Sequence, residues 1–279
     1  MKKKLAIVTG SSSGFGLLTC LEFAKEGYDV LATMRDLEKS TELLEKASVL
    51  GVGGLIHIHQ LDVTSDESIM NFKQYIQRFE NIDVLVNNAG FAGAGFVEEI
   101  TIEEYRKQFE TNVFGVIQIS QAVLPKMRLQ QYGNIINVSS ISGKIGFPGL
   151  SPYIASKHAL EGWSESLRLE MKPFGVHVSL IEPGSFQTNI WSKGKKVAER
   201  SLQKTSPYFE TMRKIENHLQ KNEANYGNPE EVAKLIVRVA GFASPKLRYP
   251  VGKGVKAAII LKNSFPWIIW ERIFLQKLK

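Results

Sequence analysis

Short apolar segments alternate with longer amphipathic segments over most of the chain, and no other feature of the sequence restricts the fold as much. The apolar segments predict strands at residues 5–8, 29–34, 55–60, 83–87, 134–138, 177–181 and 249–251. Helices are predicted between them at residues 14–26, 37–50, 153–172 and 229–242. Two further helices are predicted to begin at the capping boxes Thr64-x-x-Glu67 and Thr101-x-x-Glu104. Apolar strands separated by helices form parallel sheets with helices on both faces. The sequence therefore predicts an α/β protein with a doubly wound parallel sheet.

Two segments do not follow this alternation. Residues 184–227 contain no predicted strand, and we expect them to form a lid insertion over the site. Beyond the last predicted strand, Ser264-Phe265-Pro266 is expected to cap a final helix. One broad face of that helix carries Trp267, Trp270, Ile273, Phe274 and Leu278, and the opposite face carries Arg272, Gln276 and Lys279. The predicted organisation is a single domain, residues 1–252, with a C-terminal helical extension, residues 253–279.

The composition limits the class of protein. With 279 residues and 43% hydrophobic residues, the chain is long enough to build the core of one large α/β domain. A single cysteine, Cys20, excludes an internal disulfide framework and agrees with a reducing compartment. The apolar segment after Lys4 is too short for an export signal, and no segment is long enough for a membrane span. The net charge of +7 comes from scattered residues, so we expect no nucleic acid partner. We also expect a cytoplasmic protein and no metal site.

A glycine-rich turn lies between the first predicted strand and the first predicted helix. It reads Thr9-Gly10-Ser11-Ser12-Ser13-Gly14-Phe15-Gly16, with the spacing G-x-x-x-G-x-G. Glycines in such a turn bring backbone N–H groups and the helix N-terminus against a pyrophosphate, although an ordinary turn has the same sequence appearance. Residues 10–14 also match the G-x-S-x-G nucleophile elbow of serine hydrolases. That elbow follows several strands, whereas only nine residues precede Gly10, so a hydrolase is the weaker alternative.

A tyrosine and a lysine lie one helical turn apart in the segment Tyr153-Ile154-Ala155-Ser156-Lys157. Positions i and i+4 share a helix face, so the ammonium can lie beside the phenol. A cation about 4 Å away, at an effective dielectric constant of about 20, favours phenolate by about 4 kcal/mol before burial opposes it. Such a pair can act as a general acid and base. The structural alternative is a buried aromatic ring with a solvated lysine.

Taken together, these residues resemble the short-chain dehydrogenase/reductase family over about residues 4–252. The matching motifs are Thr9-Gly10-x-x-x-Gly14-x-Gly16, Asn87-Asn88-Ala89-Gly90, Asn112, Ser140 and Tyr153-x-x-x-Lys157. Residues 32–36 and 248–252 are similar to those of 17β-hydroxysteroid and retinol dehydrogenases. The resemblance implies a Rossmann-type fold and an NAD(P)(H)-dependent oxidoreductase that interconverts a carbonyl and an alcohol. A catalytically idle nucleotide-sensing or scaffold protein on the same fold is the alternative from another class.

The resemblance also implies catalytic roles for Asn112, Ser140, Tyr153 and Lys157. Tyr153 would donate a proton to the substrate carbonyl as hydride arrives, or accept the proton in the reverse reaction. Lys157 would lower the pKa of the tyrosine and bind the nicotinamide ribose. Ser140 would hold the carbonyl oxygen; its neighbour Ser139 is the structural alternative, and the thirteen-residue interval to Tyr153 favours Ser140. Asn112 would distort the long helix that carries it and relay protons through water to the lysine.

Cofactor contacts are implied at the ends of the strands. The implied cofactor residues are Thr9, Gly10, Ser12, Ser13, Gly14, Phe15, Gly16, Arg35, Asp62, Val63, Asn88, Ala89, Gly90, Tyr153, Lys157, Pro183, Gly184 and Thr188. Asp62 would accept a hydrogen bond from the adenine. Arg35 follows the second strand, where NAD-dependent enzymes place a carboxylate, and this predicts that NADP(H) is preferred over NAD(H). Asp36 is expected to weaken that preference by pairing with Arg35.

The expected substrate is a small apolar carbonyl or alcohol, like a steroid, a retinoid or a lipid. Its predicted contacts are Ser140, Phe147, Leu150, Tyr153, Phe186 and Trp191, with Ile190, Tyr208, Phe209 and Met212 of the lid also suited to an apolar ligand. We expect a homodimer or homotetramer that associates through the helices of Asn112 and Tyr153. The basic, tryptophan-bearing final helix is expected either to make peripheral membrane contact or to pack on its own subunit or on a partner.

Overall fold

Strands and helices alternate as predicted in the computed structural model, which describes residues 3–188, 190 and 194–278. The strands are β1 (Leu5–Thr9), β2 (Asp29–Met34), β3 (Ile56–Gln60), β4 (Val84–Asn87), β5 (Ala92–Ala94), β6 (Gly133–Val138), β7 (Val176–Pro183), β8 (Lys195–Val197) and β9 (Arg248–Val251). The helices are α1 (Gly14–Lys25), α2 (Thr41–Val49), α3 (Asp66–Tyr75), α4 (Ile102–Phe109), α5 (Gly115–Gln130), α6 (Ser151–Met171), α7 (Phe209–Asn222), α8 (Glu230–Ala240), α9 (Val255–Ser264) and α10 (Trp267–Leu278).

Seven of these strands form a parallel sheet in the order β3-β2-β1-β4-β6-β7-β9. Val8 of β1 lies opposite Ala32 of β2 on one side and Val86 of β4 on the other, and Val86 lies opposite Ile136 of β6. All four side chains are fully buried. The strand order reverses between β1 and β4, and open α/β sheets bind ligands at the carboxyl ends of the strands at such a point. The predicted doubly wound fold in a single domain is confirmed.

Apolar clusters cover both faces of the sheet because neighbouring residues of a strand point to opposite sides. Val8 belongs to the cluster that also contains Phe23 of α1. Ile7 belongs to the other cluster, with Phe72 of α3 and Ile119 of α5. Each such fully buried side chain stabilises the fold by about 1.5–3 kcal/mol relative to an exposed one. The two clusters hold the carboxyl ends of the strands in fixed positions.

The two predicted capping boxes have different outcomes. Thr101 and Glu104 form a capping box at the start of α4, as predicted. The predicted box at Thr64 is wrong, because Ser65 caps α3 and accepts a hydrogen bond from the Ser68 N–H. The Thr64 hydroxyl instead donates to Asp62, 2.7 Å away. This hydrogen bond orients the Thr64 side chain toward Asp62, and the cap is formed by Ser65, one residue later.

The lid segment and the C-terminal extension contain elements that the sequence pattern did not predict. Within residues 184–227, β8 pairs in parallel with β5 in a separate two-stranded sheet, and α7 follows. The helix α9 precedes the predicted final helix α10. Trp191 lies outside the described residues. The domain boundary at residue 252 and the lid function stay predictions. None of the helices in the described ranges combines the length and the apolarity that crossing a membrane requires.

Candidate active site

The glycine-rich turn packs tightly against the end of β4. Thr9 Oγ1 accepts hydrogen bonds from the N–H groups of Asn88 and Ala89, both at 3.0 Å. The Asn88 side-chain amide donates to the carbonyls of Thr9 and Gly10, at 2.9 and 3.1 Å. A Cβ on Gly16 would lie 2.3 Å from the Gly10 oxygen, so a glycine is required there. The glycine-rich turn and the end of β4 therefore form one rigid backbone surface at the N-terminus of α1.

Several of the predicted cofactor residues line one side of this surface. Gly10 and Gly14 have φ angles of +68° and +56°, in the left-handed region that favours glycine. A Cβ on Gly14 would lie 3.7 Å from Thr188, so the lid passes close to the turn. Ser13 begins α1 without a side-chain cap, and Phe15 makes an edge contact with Phe186 at 5.7 Å between ring centroids. Backbone N–H groups at an uncapped helix start fit a pyrophosphate.

The end of β2 presents Arg35, whose side chain is exposed. The expected pairing of Asp36 with Arg35 is not what the structure shows. Asp36 instead forms an ion pair with Lys39 at 3.2 Å and accepts a hydrogen bond from the Glu38 N–H. The pKa of Asp36 is lowered chiefly by the hydrogen bond from Lys39. The carboxylate that was expected to weaken an NADP(H) preference is therefore committed to another cation.

The residues after β3 are held by the protein itself. Asp62 Oδ1 accepts from the Thr64 N–H and hydroxyl, at 2.9 and 2.7 Å. Val63 is buried, and its carbonyl lies 2.7 Å from the position of a Cβ on Gly115. The Asp62 carboxylate is thereby fixed at the end of the strand, where its predicted adenine contact stays a prediction.

Tyr153, Ser140 and Lys157 meet as predicted, and all three are buried. Ser140 hydrogen-bonds the Tyr153 hydroxyl and also accepts from the Ser142 N–H at 3.1 Å. The Lys157 ammonium donates to the Val138 carbonyl at 2.7 Å and lies 5.7 Å from the centroid of the tyrosine ring. Helix α6 thus presents the acid and the cation on one face, opposite the end of β6.

The pKa of Tyr153 differs from the sequence-based expectation. Burial raises the pKa of Tyr153 to about 12, and the hydrogen bond with Ser140 only partly opposes this. Burial also lowers the pKa of Lys157 to about 8, while the charge of Glu161 opposes that shift. The expectation that Lys157 lowers the tyrosine pKa gave too little weight to removing the phenolate from water. At neutral pH the pair is a protonated phenol beside an ammonium.

Asn112 lies in a π-helical turn, Glu110–Phe114, that separates α4 from α5. Its side chain accepts from the Phe91 N–H at 3.2 Å and donates to the Phe91 carbonyl at 3.1 Å. It also donates to the Ser156 hydroxyl at 3.2 Å. The predicted distortion of the helix is therefore present, and it joins the helix to the segment after β4. The proton relay assigned to Asn112 stays a prediction.

A narrow cleft of about 60 Å³ lies in front of these groups. It is lined by the predicted residues Phe15, Asn88, Gly90, Ser140, Tyr153, Lys157, Pro183, Gly184, Phe186 and Thr188. Phe91 and Val138, which were not predicted, also line it, as does Ser139, the alternative to Ser140. Phe91 directly follows the predicted Gly90, whereas Val138 is the last residue of β6, two residues before Ser140.

Two predicted substrate residues lie elsewhere. Phe147 lines a separate apolar groove of about 500 Å³ that Trp267 and Trp270 of α10 also line. Leu150 stands at the N-terminal end of α6 and bridges to Gly95. The loop before α6 directs Phe147 toward the C-terminal helices, so its proposed contact with substrate is not supported. Phe186 does reach the cleft but is almost fully buried in the core.

Comparison with known proteins identifies the family. The family model described as short chain dehydrogenase matches residues 4–198, more than half of the chain. The chain belongs to the short-chain dehydrogenase family. Its members are oxidoreductases, so the hydrolase and scaffold alternatives lose their support.

Individual members of the short-chain dehydrogenase family match almost the whole chain. The uncharacterized oxidoreductase YusZ of Bacillus subtilis is 50% identical over 279 residues, 100% of this chain and 99% of YusZ. Retinol dehydrogenase 8 of Bos taurus is 36% identical and covers 94% of this chain and 86% of its own length. This confirms the similarity to retinol dehydrogenases.

Solved structures of short-chain dehydrogenases share the fold. One from Streptomyces avermitilis is 32% identical, with a TM-score of 0.82 over 98% of this chain and 97% of that one. Actinorhodin polyketide ketoreductase, 30% identical with a TM-score of 0.76 over 91% of this chain and 97% of that one, was determined with NADPH bound. The family is therefore one of nicotinamide-dependent oxidoreductases.

Proposed function

We propose that this chain reduces the carbonyl group of an apolar substrate with NADPH. The observation that carries the proposal is the hydrogen-bonded pair Tyr153 and Ser140, buried beside Lys157 at the carboxyl ends of the central strands. A carbonyl oxygen in the cleft can take hydrogen bonds from both hydroxyls. The nicotinamide, when bound, supplies the hydride.

The protonation states favour reduction over oxidation at neutral pH. Because the pKa of Tyr153 is raised to about 12, its phenol carries the proton that an alkoxide product needs. Because the pKa of Lys157 is about 8, most of its amine is charged at pH 7 and can stabilise the phenolate left behind. As pH rises through 8, that charge is lost. The rate of reduction is therefore expected to fall on the alkaline side.

The chain's own residues fit an NADP(H) molecule. The backbone surface of the glycine-rich turn suits the pyrophosphate, and Lys157 would bind the nicotinamide ribose. Arg35 would bind the 2′-phosphate, since Asp36 is paired with Lys39. The aromatic rings of Phe91 and Phe186 support an apolar substrate, and so does the similarity to a retinol dehydrogenase.

Turnover with a carbonyl panel tests this function. Purified protein is mixed with NADPH or NADH and with a retinoid aldehyde, a steroid ketone, a long-chain ketone or a small polar ketone. We expect consumption of NADPH with at least one apolar carbonyl, and a kcat/KM at least about tenfold higher with NADPH than with NADH. Arg35→Leu should remove this preference, whereas Lys46→Leu, which deletes another exposed cation, should not.

Two outcomes of the panel contradict the proposal. A higher kcat/KM with NADH refutes the role of Arg35 in cofactor choice. Reduction of the small polar ketone alone refutes an apolar substrate. If no carbonyl oxidises NADPH although NADPH binds, the nucleotide-sensing alternative gains support.

We also propose that α9 and α10 contact a membrane surface. The single apolar face expected on α10 is divided, because Trp270 is buried while Trp267 and Ile268 are 59% and 58% exposed. The exposed surface continues through Phe265 to Ile260 of α9. Residues 253–279 contain six basic residues and one acidic residue, and the Lys262 ammonium lies 5.3 Å from the Trp267 ring centroid. Exposed aromatic and apolar side chains with cations suit an anionic bilayer surface.

Sedimentation with vesicles tests the membrane proposal. The protein should sediment with vesicles of phosphatidylcholine and phosphatidylglycerol, and the double variant Trp267→Ser/Ile268→Ser should sediment several-fold less. Met70→Ser, an equally exposed residue on α3, is the matched control. Equal sedimentation of all three contradicts the proposal.

Light scattering of the same proteins measures their mass. We propose a homodimer or homotetramer formed through the outward faces of α5 and α6, so the mass should be unchanged in the double variant. A smaller mass in the double variant would instead make the α10 surface an interface between copies.

A further inference from the structure

A buried cluster of charges lies directly behind Lys157. Glu161 of α6 and Glu182 of β7 are 4% and 1% exposed. The Lys144 ammonium lies 2.6 Å from Glu161 and 3.8 Å from Glu182. The Arg248 guanidinium lies 2.9 Å from Glu161 and 3.3 Å from Glu182. Two buried carboxylates are thus held between two cations that come from different parts of the chain.

Three members of this cluster, Glu161, Glu182 and Lys144, adjoin residues of the candidate active site. Glu161 follows Lys157 by one helical turn on α6, so the two side chains are neighbours. Glu182 directly precedes Pro183, which lines the cleft. Lys144 follows the short helical turn that Ser140 begins. Changes of charge in the cluster therefore act on the groups proposed to carry out the reaction.

Burying two carboxylates is costly unless their charges are used or paired. The two cations pair with both, yet Lys157 itself is buried, and among the described residues its hydrogen bond is to the neutral Val138 carbonyl. A buried ammonium with a neutral partner tends to lose its proton. Glu161 is the carboxylate on the same helix that can oppose this.

We propose that Glu161, supported by Glu182, is a positioning residue that keeps Lys157 in its ammonium form. The proposal rests on the proposed function, in which the charged Lys157 stabilises Tyr153 and binds the cofactor ribose. Glu161 acts through Lys157, and Glu182 acts by its charge on the pair. Lys144 and Arg248 hold the two carboxylates in place.

The protonation behaviour of the cluster agrees with this role. Burial lowers the pKa of Lys157 and the charge of Glu161 raises it. Burial raises the pKa of Glu182 to about 7, and the neighbouring Glu161 adds to this shift. Glu182 therefore becomes charged as pH rises through about 7. This added negative charge keeps Lys157 protonated to a higher pH than Glu161 alone would.

The charged groups around the cluster come from four elements. Glu161, Glu165 and Lys157 lie on α6, Glu182 lies on β7, Arg248 lies on β9, and Lys144 lies in the loop after Ser140. Glu165 binds Arg248 at 2.5 Å, but its side chain is 53% exposed. Glu165 is therefore a matched control, because it contacts the same guanidinium from the solvent side.

The test is the pH dependence of two quantities from pH 6 to 9. One is kcat/KM for carbonyl reduction with NADPH, and the other is the Kd for NADPH from fluorescence titration. In Glu161→Gln, we expect the alkaline fall of kcat/KM and the alkaline rise of the Kd to occur about one pH unit lower than in the wild type. Glu161→Asp keeps the carboxylate and should return most of the pH profile to that of the wild type. Glu165→Gln should leave the profile near that of the wild type.

Glu182→Gln gives a second, independent measurement. The amide resembles the protonated carboxyl group, so this variant should match the wild type at pH 6 and lose activity and NADPH affinity only above about pH 7. It also tests the proposal if Glu161→Gln does not fold, as judged by circular dichroism.

Particular outcomes overturn the proposal. A Glu161→Gln protein that loses the same fraction of activity at every pH has a structural defect, which refutes the positioning role. Wild-type behaviour of Glu182→Gln at pH 8 refutes the contribution of Glu182. Tyr153→Phe is measured in parallel, because normal turnover in that variant refutes the proposed catalytic function itself, whereas an inactive Tyr153→Phe with an unshifted Glu161→Gln refutes only this inference.

Discussion

Tyr153→Phe is expected to lower kcat/KM for carbonyl reduction by about 10²- to 10⁴-fold. The tyrosine is 3% exposed, so phenylalanine keeps the packing of the ring and removes only the hydroxyl that carries the proton. The Kd for NADPH should change little, because Lys157 and the glycine-rich turn stay in place. Steady-state kinetics and fluorescence titration measure the two quantities.

Tyr105→Phe is the matched control for this variant. The Tyr105 hydroxyl lies 2.6 Å from the hydroxyl of Ser151, at the first turn of the same helix α6, but Tyr105 does not line the cleft. Both substitutions delete one hydrogen-bonded phenol near the start of α6. Only Tyr153→Phe should show the large decrease in kcat/KM, and Tyr105→Phe should keep a kcat/KM near that of the wild type. Activity within a few-fold of the wild type in Tyr153→Phe would remove the basis of the proposed mechanism.

The sheet and the meeting of the proposed catalytic side chains could be predicted from the sequence. Apolar strands in regular alternation with helices leave few arrangements other than a parallel sheet. In such a sheet the carboxyl ends of the strands lie at one edge. Residues that follow the strands, such as Asn88 and Ser140, are therefore brought to that edge. The spacing of Tyr153 and Lys157 fixes them on one face of α6.

Features that depend on tertiary contacts could not be predicted in the same way. The distortion of the helix at Asn112 was expected, but its hydrogen bonds to Phe91, 21 residues earlier in the chain, were not. Phe147 lies beside α10, more than a hundred residues later. The sequence shows neither contact. A periodic pattern reports on which face of an element is apolar, and it does not report on which distant element covers that face.

The pKa values show the same limit. Sequence spacing indicates that Lys157 and Tyr153 are neighbours, but the size of the desolvation depends on everything packed around them. Burial raises the pKa of Tyr153 and lowers that of Lys157. Glu161, Glu182 and their two cations likewise come from distant parts of the chain, and no local sequence pattern predicts that they meet.

Gly16→Ala is expected to weaken NADPH binding at least about tenfold and to lower the free energy of unfolding by about 1–3 kcal/mol. The added methyl group would lie 2.3 Å from the Gly10 carbonyl oxygen and 2.5 Å from the Asn88 side-chain nitrogen. Both atoms belong to the hydrogen bonds that join the turn to β4. The turn must open to admit the methyl group, and the backbone surface proposed for the pyrophosphate opens with it.

Gly54→Ala is the control for this last variant, because nothing lies within 4 Å of the position of a Cβ on Gly54. It should bind NADPH and unfold like the wild type. Fluorescence titration gives the Kd, and urea denaturation gives the free energy of unfolding. If Gly16→Ala binds NADPH as tightly as Gly54→Ala does, the tight packing of Gly16 serves the fold alone. The turn at residues 10–16 would then have to bind the cofactor through a surface that does not depend on its contact with β4.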